Sequence, residues 1–149
     1  MRQIFIFLLI FSALIFNKKS YALDELKNPS ELELLFDSKV QKLGNSYYIG
    51  IKILLEEGWK TYWKNPGDSG APLSLDWKQE KKENIDYEVL YPTPSRFVDS
   101  GIETIGYEDK VIFPIEIKFE DEIQLKEIDV DINYLVCKDI CIPVTESRI

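Results

Sequence analysis

Val111-Ile112-Phe113-Pro114-Ile115-Glu116-Ile117-Lys118-Phe119 is the stretch that decides the fold. Val111, Phe113, Ile115, Ile117 and Phe119 fall on one side, and Pro114, Glu116 and Lys118 on the other. A period of two is the signature of a strand with one buried face, because successive Cβ atoms point to opposite sides of the pleat. Pro114 has no N–H to give to a ladder, so this strand is expected at a sheet edge or bulged at that residue.

The same alternation recurs in both directions along the chain. Downstream, Ile128, Val130, Ile132, Tyr134 and Val136 form a stripe facing away from Asp129, Asp131 and Asn133, with Cys137 in phase with the polar side. Upstream, Leu32, Leu34 and Phe36 mark a first strand, and Tyr47, Ile49, Ile51 and Ile53 mark a second. Gly58 breaks that second run before the aromatic strand Trp59–Trp63. Lys64 to Pro72 is dense in Pro, Gly, Asn and Asp and reads as a turn region. Leu73, Leu75 and Trp77 alternate again, residues 78–86 are a charged, solvated loop, and Tyr87–Tyr91 is a short strand closed by Pro92 and Pro94. Helical periodicity is confined to Leu23–Leu26. Seven or eight short strands with turn signals between them make an all-β fold, an antiparallel β-sandwich.

The N-terminus follows other rules. Met1-Arg2-Gln3 opens with a positive charge, Ile4–Phe16 is an uncharged apolar run with four phenylalanines, and Ser20-Tyr21-Ala22 supplies small residues before a cut. This is the pattern of a secretory signal peptide over residues 1–22, and the run is shorter than the ~20 residues that span a bilayer. Residues 23–149 then form one exported domain with no stable membrane insertion. Its composition resembles bacterial sequence in its abundance of Lys, Ile and Asn, so the expected compartment is the periplasm. The cut takes three of the 18 basic residues and none of the 26 acidic ones, leaving 15 against 26 and a net charge of −11. Such a surface does not suit nucleic acid, which needs clustered Lys or Arg. The chain has no His and its one Met is Met1. Imidazole catalysis and His metal sites are excluded, and a copper carrier is disfavoured.

Cys137-Lys138-Asp139-Ile140-Cys141 is the segment with chemistry in it. In a straight strand its end Cα atoms would lie roughly 13 Å apart, whereas a disulfide spans about 4.4–6.8 Å. The chain must reverse between them, as a three-residue hairpin loop or one helical turn, for the two sulfurs to bond. An oxidising compartment favours that pairing. A ring this small gives little chain-entropy stabilisation, about 2 kcal/mol against ~3 for fifteen residues. Exposure of Cys137 on the polar side would admit an attacking thiolate. Spacing alone leaves a redox pair and a passive staple both open. A metal site is weaker, since two thiolates do not complete a tetrahedron.

Four segments together resemble one family, the periplasmic N-terminal domain of the thiol:disulfide interchange protein DsbD and its stand-alone relatives. They are Gly58-Trp59-Lys60-Thr61-Tyr62-Trp63-Lys64-Asn65-Pro66-Gly67-Asp68-Ser69-Gly70-Ala71-Pro72, Tyr91-Pro92-Thr93-Pro94-Ser95-Arg96-Phe97, Gly106-Tyr107-Glu108, and Leu135-Val136-Cys137-Lys138-Asp139-Ile140-Cys141-Ile142-Pro143. The resemblance implies an immunoglobulin-like sandwich whose catalytic residues are Cys137 and Cys141, cycling between dithiol and disulfide without a cofactor or metal. Cys141 would attack, or be attacked, in the mixed disulfide, and Cys137 would resolve it. The implied partners are a membrane-embedded thiol reductase and thioredoxin-like periplasmic proteins, with this chain relaying electrons between them. The family's shielding loop would lie near Asp99–Gly106, a stretch without an aromatic cap. The chain ends eight residues after Cys141, which leaves room for a short last strand within Val144–Ile149 and reads as a fragment or a compact member. The competing function is a non-enzymatic exported binding module with a structural bridge.

Other conspicuous residues have plainer readings beside the functional ones. Trp59, Trp63 and Trp77 are a ligand platform or, more commonly, core. Asp68 is an acid–base group near the thiols or a turn residue bonding its own backbone. Glu56-Glu57 and Lys78–Glu83 are solvated charge.

Overall fold

The computed structural model describes residues 27–35, 46–78, 86–118 and 129–148. The expected signal segment 1–22, the Leu23–Leu26 region, Phe36, Phe119, Ile128 and most of the charged segment 78–86 lie outside the described residues. Among the described residues the alternating segments form strands and none forms a helix. In chain order they are β1 (Ser30–Leu35), β2 (Ser46–Leu55), β3 (Lys60–Gly67), β4 (Ser74–Trp77) and β5 (Asp86–Val89). Then come β6 (Ser95–Asp99), β7 (Ile102–Glu108), β8 (Lys110–Lys118), β9 (Val130–Cys137) and β10 (Cys141–Arg148).

Two sheets result. One runs β1-β2-β8-β5; the other runs β10-β9-β3-β7-β6, with β4 also paired to β9. All strand pairings are antiparallel. The sheets enclose one core, in which Ile51 and Ile53 of β2 and Val111, Phe113, Ile115 and Ile117 of β8 face Val130, Ile132, Tyr134 and Val136 of β9 and Ile142 and Val144 of β10. The fold is therefore an immunoglobulin-like antiparallel β-sandwich, and the two stripes read first in the sequence are its two inner faces. The three tryptophans are partly buried and pack against this core.

Buried phenols need hydrogen-bond partners, and here those partners join distant segments. The Tyr134 hydroxyl bonds the Ser30 hydroxyl at 2.8 Å, across the two sheets. Tyr107 donates to the Pro92 carbonyl at 2.8 Å and Tyr91 to the Leu73 carbonyl at 3.2 Å. Burial pushes the Tyr107 hydroxyl pKa up from its already high ordinary value.

Three expectations need correction, and one stretch without a strand reading forms a hairpin. β8 is not an edge strand: it lies between β2 and β5. Pro114 is tolerated because the β5 ladder stops at Val89↔Ile115, one residue short of it, while its carbonyl still accepts the Leu90 N–H at 2.8 Å. The Lys64–Pro72 region is not turn throughout, since β3 continues to Gly67 with a register shift between Tyr62 and Gly67. The chain leaves β9 there, pairs with β7, and returns to β9 as β4. Ser95–Glu108, without an evident apolar stripe, is a hairpin turning at Ser100-Gly101, both of positive φ. Finally, β10 spans Cys141–Arg148, so the last strand starts at the cysteine itself.

Gly106 shows how tightly the second sheet closes. A Cβ there would sit 2.1 Å from the Thr61 carbonyl oxygen, so only glycine allows β7 to approach β3 at this point.

Phe113 is fully buried, edge-on to Tyr91 and Tyr107 at centroid distances of 5.5 and 5.3 Å. Truncating it to alanine should cost about 3–5 kcal/mol, whereas Ile112→Ala, at 39% exposure on the outer side of the same strand, should cost under about 0.5 kcal/mol. Urea-denaturation midpoints of the two variants check this, and similar midpoints would contradict the assigned inner face.

Candidate functional site

The site begins with the end of one strand and the start of the next. The β9 alternation sends Val136 inward and Cys137 outward, and Lys138-Asp139-Ile140 form the loop. The Lys138 N–H donates to the Ile140 carbonyl at 3.0 Å, closing the reversal. The ladder resumes with Cys141 directly opposite Cys137 and continues to Arg148↔Val130. Of the two reversals that the spacing allowed, the structure takes the three-residue hairpin. The Cα atoms of the two cysteines are 4.1 Å apart and their sulfurs are joined in a disulfide.

The two sulfurs differ in surroundings. Cys141 is exposed, whereas Cys137 is buried, only 5% accessible. The expected exposure of Cys137 is thus corrected: the β9 alternation puts its side chain on the outer face, but it is covered there. Next to it on β3 is Lys60, its directly opposed cross-strand partner. Residues opposed in this way project to the same face, with Cβ atoms about 4.5–5.5 Å apart. Lys60 is itself largely covered, with a side chain 17% accessible. Its ammonium pairs with the Asp99 carboxylate and lies 4.5 Å from the centre of the Phe97 ring. Both partners come from β6, in the hairpin that the sequence reading left without strands. The aromatic of this region is Phe97, two residues before the stretch expected to shield the cysteines.

A second lysine fixes the loop. Lys138 Nζ donates to the Glu57 carbonyl at 3.1 Å, in the turn between β2 and β3. Gly58 makes this approach possible: its φ is +79°, and a Cβ there would come within 3.0 Å of the Lys138 Cε and Nζ. Gly58 is therefore more than a strand breaker, since it seats the cysteine loop on the neighbouring turn. Ile140, at the crest of that loop, is 53% exposed.

Other groups fall into place around the pair. Tyr62, two residues beyond Lys60 on the same face, is buried, and desolvation together with the Asp99 charge pushes its phenol pKa up. Leu135 and Pro143, the next same-face pair after the cysteines, line a groove of about 230 Å³ with Ala71, Pro72 and Ser74. Asp68 bonds β7 and not its own backbone. Its carboxylate accepts the Glu103 N–H at 2.9 Å, and its own N–H donates to the Glu103 carbonyl at 2.8 Å. It clamps the β3 detour to the hairpin. Among the described residues no three His, Cys, Asp or Glu side chains group as a metal site.

Sequence reasoning missed Lys60, Phe97, Asp99 and Lys138 as parts of the site. One signal was available for Lys60. It is in phase with Tyr62 in an otherwise aromatic strand, and a lysine on a covered face calls for a partner.

Chemically, the arrangement offers an accessible sulfur bonded to a covered one, with Lys60 opposed to the covered one across the ladder. The family model described as thiol:disulfide interchange protein DsbD, N-terminal, matches residues 31–149, which include both cysteines. Among solved structures the chain resembles the N-terminal periplasmic domain of ScsB from Proteus mirabilis, at 28% identity and a TM-score of 0.64, over 80% of this chain and 45% of that one. It is also similar to the DsbD N-terminal domain of Neisseria meningitidis in the reduced form, at 10% identity and a TM-score of 0.49, over 78% of this chain and 81% of that one. This chain thus spans less than half of the ScsB chain. No curated protein matches it significantly. With a match running from residue 31 to residue 149, the chain belongs to the DsbD N-terminal domain family of thiol:disulfide interchange proteins.

Proposed function

We propose that this chain is a periplasmic thiol–disulfide exchange module, passing two electrons through Cys137 and Cys141 between a membrane-embedded thiol reductase and thioredoxin-like partners. The observation that carries the reading is the asymmetry of the pair: an exposed Cys141 facing a buried Cys137 across a three-residue loop. An incoming thiolate can reach only a sulfur that is accessible along the S–S axis. Cys141 is accordingly the sulfur that forms the mixed disulfide, and Cys137 is the one that leaves and later resolves it. The sulfurs themselves hold the electrons, so the step needs no cofactor.

Residues 1–22 direct export in this reading, and residues 23–149 act in the periplasm. Among the described residues no helix is long and apolar enough to cross a membrane. The membrane step of the relay therefore belongs to another protein or to a segment outside the described residues.

The reduction potential of the pair tests the reading against its rival, an exported binding module with a fixed bridge. Equilibration with glutathione or thioredoxin should place it between about −170 and −270 mV. A value far below about −300 mV would mark a bridge closed to physiological reductants and overturn the proposal.

Trapping tests the division of roles. Cys137→Ser leaves the exposed sulfur without its resolving partner, so this variant should accumulate mixed disulfides with a thioredoxin-like protein on non-reducing gels. Cys141→Ser should not. The opposite pattern would reverse the assignment.

A further inference from the structure

Lysine side chains rarely lose their solvent, because the ammonium is strongly hydrated and its burial is unfavourable without a counter-charge. Lys60 is covered to 17% accessibility, ion-paired to Asp99 and set over Phe97, on a strand position directly opposite a cysteine. Stability alone gives weak cause for this arrangement, since partly buried ion pairs tend to offset their own desolvation. Its strand position, opposite the buried Cys137 and on the same face, suggests a chemical one.

The charged and titratable groups connected to Cys137 through the ladder, the loop or Lys60 come from five elements. From β3 there is Lys60, with Tyr62 beyond it, a phenol held neutral by burial and by the Asp99 charge. From β7 there is Glu108, the other cross-strand partner of Lys60, which is exposed. From β6 comes Asp99, already engaged with Lys60. The loop contributes Lys138, turned to the Glu57 carbonyl, and the exposed Asp139. β10 contributes Cys141 itself. Lys60 is thus the cation presented to Cys137 by the ladder, and Asp99 is the anion that shares it.

We propose that Lys60 is a positioning residue for the exchange, stabilising the Cys137 thiolate at the moment the disulfide opens, with Asp99 competing for the same ammonium. The proposal rests on the exchange reading above. In the reductive direction a partner dithiol is the reductant. Its thiolate attacks the Cys141 sulfur, an intermolecular S–S bond forms, the Cys137–Cys141 bond breaks, and the electron pair stays on the sulfur of Cys137, across the ladder from Lys60. The partner's second thiol then loses its proton and attacks the partner's first sulfur, breaking the intermolecular bond and leaving an electron pair on Cys141. The partner ends as a disulfide, and two electrons and two protons have passed to the Cys137/Cys141 pair. A leaving thiol of lower pKa departs faster, and a neighbouring ammonium lowers that pKa. In the reverse direction the same cation keeps Cys137 as a thiolate, ready to resolve the mixed disulfide.

The test uses Lys60→Met, Lys60→Arg and Asp99→Asn in the full exported chain, with two readouts. The first is the rate of reduction by excess dithiothreitol. The second is the thiolate absorbance of Cys137 against pH in the Cys141→Ser background, where Cys137 is the remaining thiol. Lys60→Met should slow reduction roughly three- to tenfold and move the Cys137 titration to higher pH, Lys60→Arg should restore both, and Asp99→Asn should shift both the other way. Unchanged rate and titration in Lys60→Met would overturn the proposal. Asp99→Asn slowing reduction as Lys60→Met does would also overturn it, by showing that the pair is only a structural tie. If the unmodified chain resists dithiothreitol altogether, the exchange reading fails, and the Cys137 titration still decides whether Lys60 governs that thiol.

Discussion

Everything in the site depends on the register between β9 and β10. Cys141 meets Cys137 because the eight residues of β10 pair with β9 in one uninterrupted register, from the cysteines to Arg148↔Val130. Side chains alternate along both strands, so a slip of one residue would turn every β10 side chain to the other face and move Cys141 into the core. Ile142 and Val144 on β10, against Val136 and Tyr134 on β9, hold the register by staying buried. The cysteine pair is thus positioned by the hydrophobic core, although neither sulfur is part of the cluster that forms it. A three-residue loop then needs only to close the end of a ladder whose geometry is already fixed.

The second organising feature is an asymmetry built on that symmetric pairing. The two cysteines are equivalent partners in the ladder, yet β10 is the outermost strand of its sheet and β9 is interior. Cys141 therefore has open space on one side, while Cys137 has β3 beside it. This difference in strand position explains why one sulfur is reachable and the other is not. It also explains why the polar phase of Cys137 in the sequence did not translate into exposure.

Electrostatics adds a local exception to a strongly acidic chain. The formal net charge is −8, yet two lysines are drawn to the cysteine region for different tasks. Lys138 holds the loop against the carbonyl of Glu57, in the turn where Gly58 leaves room for it. Lys60 lies across the ladder from Cys137 and is balanced by Asp99 on a separate strand. The β6–β7 hairpin supplies that balancing charge and the Phe97 ring under the ammonium, while Asp68 ties the hairpin to the β3 detour. Lys60 thus ties the hairpin to the strand position opposite Cys137.

The sandwich was legible from the chain alone because alternation is a local property: Val111 to Ile117 and Val130 to Val136 show their buried faces through residue type, whatever they pack against. The reversal at the cysteine segment was legible too, since Cys137 and Cys141 can bond only if the three residues between them reverse the chain. Pro114 misled for the complementary reason. Its missing N–H is a local fact, but whether that costs a ladder bond depends on where β5 stops, which nothing near Pro114 reveals. The β6–β7 hairpin had no clear stripe to announce it, because Val98 and Ile102 are exposed and Phe97 and Asp99 serve Lys60 instead of the core. Residue order by itself thus determined strand faces and the need for a reversal between the cysteines if they bond, both of which are set within a few residues. Only the tertiary structure decided which sulfur is covered and which residue of β3 is opposed to it, because those depend on strands brought together from far apart in the chain.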